Sequence, residues 1–253
     1  MTIPLPDQSS RRDSLNQPSR SIRVPSLIAG MALLLMTIFS VYGFFGVVEN
    51  LVMPGDAPGT AANIAGAGFL FRTGIASLIV VVILDVIVAG ALFEVFASVN
   101  RSVSTMAAWF RLAYSAVFLV AICQLLEVPA LLDDEDGMLS AIASFNSIWM
   151  VGLILFAFHL LLIGYLGYRS GFMARIFGVL LVLAGFGYLA DGFATVLIPD
   201  YSISIAQFVF VGEAALIFWL LIRGRRITTR GPAPEEPITS EENVPGPVKS
   251  PIV

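Results

Sequence analysis

The chain has 253 residues, 57% of them apolar and 13% charged, with a mean hydropathy of +0.88. A soluble domain is typically about a quarter charged, and here the apolar residues are gathered into long runs, which excludes an ordinary soluble core. The net charge of −4 is divided by side rather than spread, so it gives no basis for nucleic-acid binding.

One cysteine, Cys123, excludes an intramolecular disulfide and a thiolate cluster within one chain. One histidine, His159, excludes sites that need two from the same chain, such as helical two-His zinc motifs and bis-His haem. No metal or cofactor is expected.

Residues 1–24 are rich in Ser, Pro and Arg without periodicity and read as a disordered cytoplasmic tail. Within them Ser10-Arg11-Arg12-Asp13-Ser14-Leu15 resembles a twin-arginine export signal. The apolar run that follows, 26–48, is longer than a signal-peptide core of about 7–15 residues and reads as a retained first helix.

Five further runs follow at 74–97, 107–128, 145–167, 174–197 and 204–222. At ~1.5 Å per residue each spans about 28–36 Å, enough for a hydrocarbon core of ~30 Å. Residues 25–226 therefore read as an all-α, polytopic domain of six transmembrane helices.

The connections sort by charge. Of fourteen basic residues only Arg72 falls on the outer side; every other Arg, and Lys249, lies on the inner side. Both termini are thus expected in the cytoplasm of a cell-membrane protein whose surroundings are the lipid bilayer. Trp109 and Trp219 near inner ends, and Trp149 near an outer end, agree with interfacial belts.

The longest outer connection, 49–73, carries the turn signals Pro54-Gly55 and Pro58-Gly59. After them a helix capped by Thr60 is expected, either as an early start of the second span or as a short surface helix. The acidic run Asp133-Asp134-Glu135-Asp136 reads as a solvated outer loop, since it lacks the spaced ligands of a calcium site. Residues 227–253, dense in Pro, Glu, Ser and Thr, read as a second disordered tail.

Ionisable residues within spans are where chemistry is sought, because a central charge costs ~2.5–3.5 kcal/mol on insertion scales. Asp85 lies at the middle of the second run and Glu213 at the middle of the sixth. His159 lies slightly inward of the fourth run's midpoint. The three share a layer and read either as a polar knot fixing helix register or as a proton-carrying site. Asp191 lies higher, in the outer half of the fifth run, on a face with Ala184 and Gly187; Gly178 and Gly185 form a second small-residue spacing. Nearer the surfaces, Glu94 and Arg111 are expected to pair at the inner side. Arg72 is expected to be clamped by Glu49, Glu127 or Asp191, or else to mark an anion-binding spot.

A set of motifs accompanies these charges: Leu70-Phe71-Arg72-Thr73-Gly74, Leu84-Asp85-Val86, Asn100-Arg101, Phe110-Arg111-Leu112, Phe158-His159-Leu160, Arg169-Ser170-Gly171-Phe172, Gly212-Glu213-Ala214 and Trp219-Leu220-Leu221-Ile222-Arg223-Gly224. In this order and spacing, over roughly residues 25–226, the chain resembles the bacterial membrane-protein family catalogued as domain of unknown function 4386. The resemblance implies a multi-pass cell-membrane protein with no assigned activity. It also implies that Arg72, Asp85, Arg111, His159 and Glu213 belong to the family pattern. The chain departs from that pattern at Ala65-Gly66-Ala67-Gly68, where an acidic residue is expected ahead of the Phe-Arg pair.

Three function classes stand open. The leading one is a non-enzymatic membrane module, such as a sensor, an accessory subunit or an envelope-stress protein. The second is a small proton-coupled transporter built on Asp85, His159 and Glu213. The third is an intramembrane enzyme using His159 and Asp85 as an acid–base pair, although Gly-x-Ser-x-Gly, zincin and phosphate-loop motifs are all absent. A protein partner or a small-molecule ligand is left open.

Overall fold

Short polar side chains cap three of the helices at their starts. The computed structural model describes residues 19–198, 211–224 and 228–230. The first long helix, α1, runs Arg23–Leu51 with Pro25 in its first turn, where a missing N–H costs nothing. Its stretch Val41–Val48 is wound as a π-helix. There Gly43 faces α3, the helix Gly68–Phe96, and a Cβ on Gly43 would strike Ser77 Oγ and the Gly74 carbonyl. Gly74 in turn receives Val47, so the two helices cross closely at this level.

Between them lies a short helix, α2, Ala57–Gly66. Its cap is Asp56, whose carboxylate accepts the Gly59 N–H at 2.8 Å, and not Thr60. Thr60 is buried, and its hydroxyl bonds the backbone of Met53 and Asp56. Asp56 takes precedence because it directly precedes the first helical residue, Ala57, so its carboxylate reaches the free N–H of Gly59 in the first turn. Both options for this connection hold in part: a separate short helix forms, and α3 begins at residue 68 rather than 74.

The helix α4, Arg101–Glu127, is capped by Asn100, which accepts the Val103 N–H at 3.0 Å. Ser104 Oγ donates to the Phe93 carbonyl and ties the α3–α4 hairpin. A 3₁₀ turn at Val128–Ala130 ends α4.

The acidic run then starts a helix. Asp134 caps Gly137, and Glu135 and Asp136 sit in the first turn of α5, Glu135–Arg169, favourably placed against the helix dipole. The expected loop is therefore largely a helix start, and α5 begins ten residues earlier than the apolar run. Gly171, at φ 69°, turns the chain into α6, Arg175–Leu197. The last described helix is α7, Val211–Ile222.

Five helices are long and apolar enough to cross a membrane: α1, α3, α4 with its 3₁₀ turn, α5 and α6. The sixth expected span, 204–222, is described from residue 211 only, as the shorter apolar α7. The long helices pack in chain order, each on the next, and α7 closes the ring by packing on both α6 and α1. Ser19–Ser21 (β1) pairs antiparallel with Thr228–Arg230 (β2), so the chain just before α1 meets the chain just after α7. The rest of both expected tails lies outside the described residues.

Candidate functional site

Counting from the helix caps places four polar residues at one depth. Asp85 lies eleven residues before the end of α3, Arg111 ten after the start of α4, and His159 ten before the end of α5. Each is therefore about 15–17 Å along its helix from that end. Glu213 lies nine residues before the end of α7, about 14 Å.

Arg111 is the centre. Its Nη2 lies 2.6 Å from Asp85 Oδ1 in an ion pair whose angles fall short of a hydrogen bond at that oxygen. Its Nη1 lies 3.1 Å from His159 Nε2, and Nη2 also reaches Met36 Sδ of α1 at 3.7 Å. The guanidinium sits over the Phe156 ring, 5.3 Å from its centre. Asp85, Arg111 and His159 are 1%, 2% and 1% exposed, so the cluster is closed to solvent.

The hydrogen-bond inventory fixes the histidine. A guanidinium has donors and no acceptor. Nε2 of His159 must therefore accept from Arg111, and Nδ1 carries the hydrogen and donates to the Ala107 carbonyl at 2.9 Å. The imidazole is neutral in this arrangement, and the cluster holds one positive and one negative charge. Arg111 thus joins α1, α3, α4 and α5.

A second pair serves the other two helices. Tyr188 of α6 donates to Glu213 Oε1 of α7 at 2.8 Å. The two sets meet across Phe156, whose ring stacks at 5.7 Å on His159 and stands edge-on at 5.6 Å to Tyr188. Tyr114 packs on the same ring at 4.9 Å and accepts the Trp149 indole N–H at 3.1 Å.

The structure therefore brings Asp85 and His159 together through Arg111 and gives Glu213 to Tyr188. The expected Glu94–Arg111 pair is corrected: the guanidinium goes to Asp85 and His159. The reason is depth. The apolar run suggests a fourth-helix start at 107, whereas Asn100 caps the helix at 101 and carries Arg111 about 9 Å deeper. Glu94 lies two residues from the end of α3, so its Cα stays about 12 Å nearer that end of the helix than the level of Arg111.

Asp191 is 3% exposed on the buried face with Ala184 and Gly187, as the small-residue spacing suggests. The expected clamp on Arg72 is also corrected: among the described residues Arg72 makes no ion pair, and its side chain is exposed. Sequence reasoning missed the central place of Arg111 and the part of Tyr188; the Asn100 cap is the signal that finds the first. Among the described residues no three His, Cys, Asp or Glu side chains converge to hold a metal ion.

Residues 28–224 match the model of the family described as Domain of unknown function (DUF4386). The chain belongs to this family. A relative from Archaeoglobus fulgidus, described as an uncharacterized protein, is 32% identical over 154 residues, which cover 61% of this chain and 85% of the relative. No solved structure matches the chain. Arg72, Asp85, Arg111, His159 and Glu213 all lie within the matched stretch, and three of them, Asp85, Arg111 and His159, form the buried cluster.

Proposed function

We propose that this protein is a six-span, non-enzymatic module of the bacterial cytoplasmic membrane with both termini in the cytoplasm, serving as a sensor, an accessory subunit or an envelope-stress protein. The observation that carries the reading is the buried Asp85–Arg111–His159 cluster, in which the groups bind one another and the charges cancel. Such a cluster locks helices in place. A substrate site would instead present unpaired groups to an opening. Two surface grooves among the described residues, one beside Arg72 and one beside Glu49, are not lined by a cluster residue.

The topology rests on two supports. The β1–β2 ribbon pairs the chain before α1 with the chain after α7, which supports an even number of crossings. The end of α7 lies beside the start of α1, with Gly224 against Ser26 and Gly30 against Leu221, so the two helices run antiparallel. The basic residues at that end support a cytoplasmic side for it.

One observation favours a proton-coupled carrier as the second reading. Arg111 Nε is buried without a hydrogen-bond acceptor, and such a donor suits a water on a proton path. The enzyme reading is weakened, because both ring nitrogens of His159 are engaged elsewhere than on Asp85.

Purified protein in vesicles carrying a pH-sensitive dye separates the first two. The module reading expects proton leak equal to that of empty vesicles across a panel of solutes. Solute-dependent proton flux through the folded wild-type protein would replace it with the carrier.

A further inference from the structure

Arg72 is the single basic residue on the outer side, and among the described residues it has no ion pair. It lines a groove of about 280 Å³ whose other walls are Ile75, Leu126, Pro129 and Ala130, all apolar. The groove runs between the start of α3 and the end of α4, with Leu126 54% exposed beside it and Phe69 83% exposed one turn before Arg72. In a membrane-spanning ring such faces meet lipid tails.

Depth sets the chemistry. The 29 residues of α3 extend about 43 Å, and a core of ~30 Å centred on them leaves about 6–7 Å at each end. The Cα of Arg72 lies four residues in, about 6 Å from the start. It therefore stands where hydrocarbon gives way to headgroups. A guanidinium there presents five donors in a planar fork suited to phosphate oxygens.

We infer that this groove is a phospholipid site of the outer leaflet: Arg72 binds the phosphodiester, and the wall of Ile75, Leu126, Pro129 and Ala130 receives the upper part of an acyl chain. Charge complementarity selects the occupant, since a cation facing lipid is met at this depth by phosphate. The site also accounts for a positive charge on the side that the charge distribution otherwise avoids.

The test is lipid retention by the full chain, released from nanodiscs of mixed phosphatidylglycerol and diacylglycerol and weighed by native mass spectrometry. The expected result is retention of phosphatidylglycerol over phosphate-free diacylglycerol, reduced about tenfold in Arg72→Gln and partly restored in Arg72→Lys. Leu126→Trp, which fills the groove and keeps the charge, is expected to reduce retention as well, so the proposal does not hang on one variant's folding. Equal retention by wild type and Arg72→Gln would overturn it, as would equal retention of the two lipids. Displacement of the bound lipid by millimolar inorganic phosphate would overturn the lipid as occupant in favour of a free anion.

Discussion

A guanidinium keeps its charge wherever it is put, so a buried arginine dictates what surrounds it. Arg111 is held by a carboxylate, an imidazole nitrogen, a thioether and the face of a ring, each from a neighbouring helix. The exchange of Asp85 for Asn is therefore expected to be severe, because it leaves a buried positive charge without its anion. Glu213 stands differently, as a half-buried acid that accepts one phenol hydrogen bond. Tyr188→Phe removes that bond and is expected to cost about 1 kcal/mol or less, measured as a shift in reversible unfolding in bicelles; a loss several times larger would mean that Tyr188 also positions the cluster through Phe156. The residues of the cluster are legible in the chain as charges the bilayer penalises. Their pairing is not, because pairing depends on depth, and depth is counted from caps rather than from the edges of apolar runs. Asn100 moves one helix start by six residues, enough to take Arg111 from the surface to the centre.

At the scale of elements, small residues decide how closely helices approach. Gly178, Gly185 and Gly192 recur every seven residues along α6, and each faces α5: a Cβ at Gly178 would strike the backbone of Tyr168 and Gly164, one at Gly185 the Leu161 side chain, and one at Gly192 the Ile154 side chain. The spacing of the first two is visible in the chain; which partner they approach is not, since a seam shows nothing of its other side. Gly178→Ala places its methyl against backbone that cannot rotate away, so a loss of about 1–3 kcal/mol is expected. Gly90→Ala, where a Cβ meets nothing within 4 Å, serves as the control and is expected to be neutral or slightly stabilising. Equal unfolding midpoints for the two variants would deny that the α5–α6 seam is tight.

For the molecule as a whole, the six apolar runs and the division of basic residues carry most of the architecture. The closure of the ring by α7 against α1 is a tertiary fact that hydropathy does not contain. Both ends of the ring on one side is the topological consequence, and it is open to a direct check. A reporter active only outside the cell is expected to work between residues 131 and 134 and to fail at the C-terminus, and the reverse pattern would invert the orientation.

The central claim is that the ring is held by a buried ion pair rather than furnished with a transport site. The most direct measurement is a double-mutant cycle of Asp85→Leu and Arg111→Met, followed by reversible unfolding in bicelles. Each single change is expected to cost about 3–5 kcal/mol, and the double change, an apolar pair of similar volume, to recover most of that loss. Single variants as stable as the wild type would contradict it.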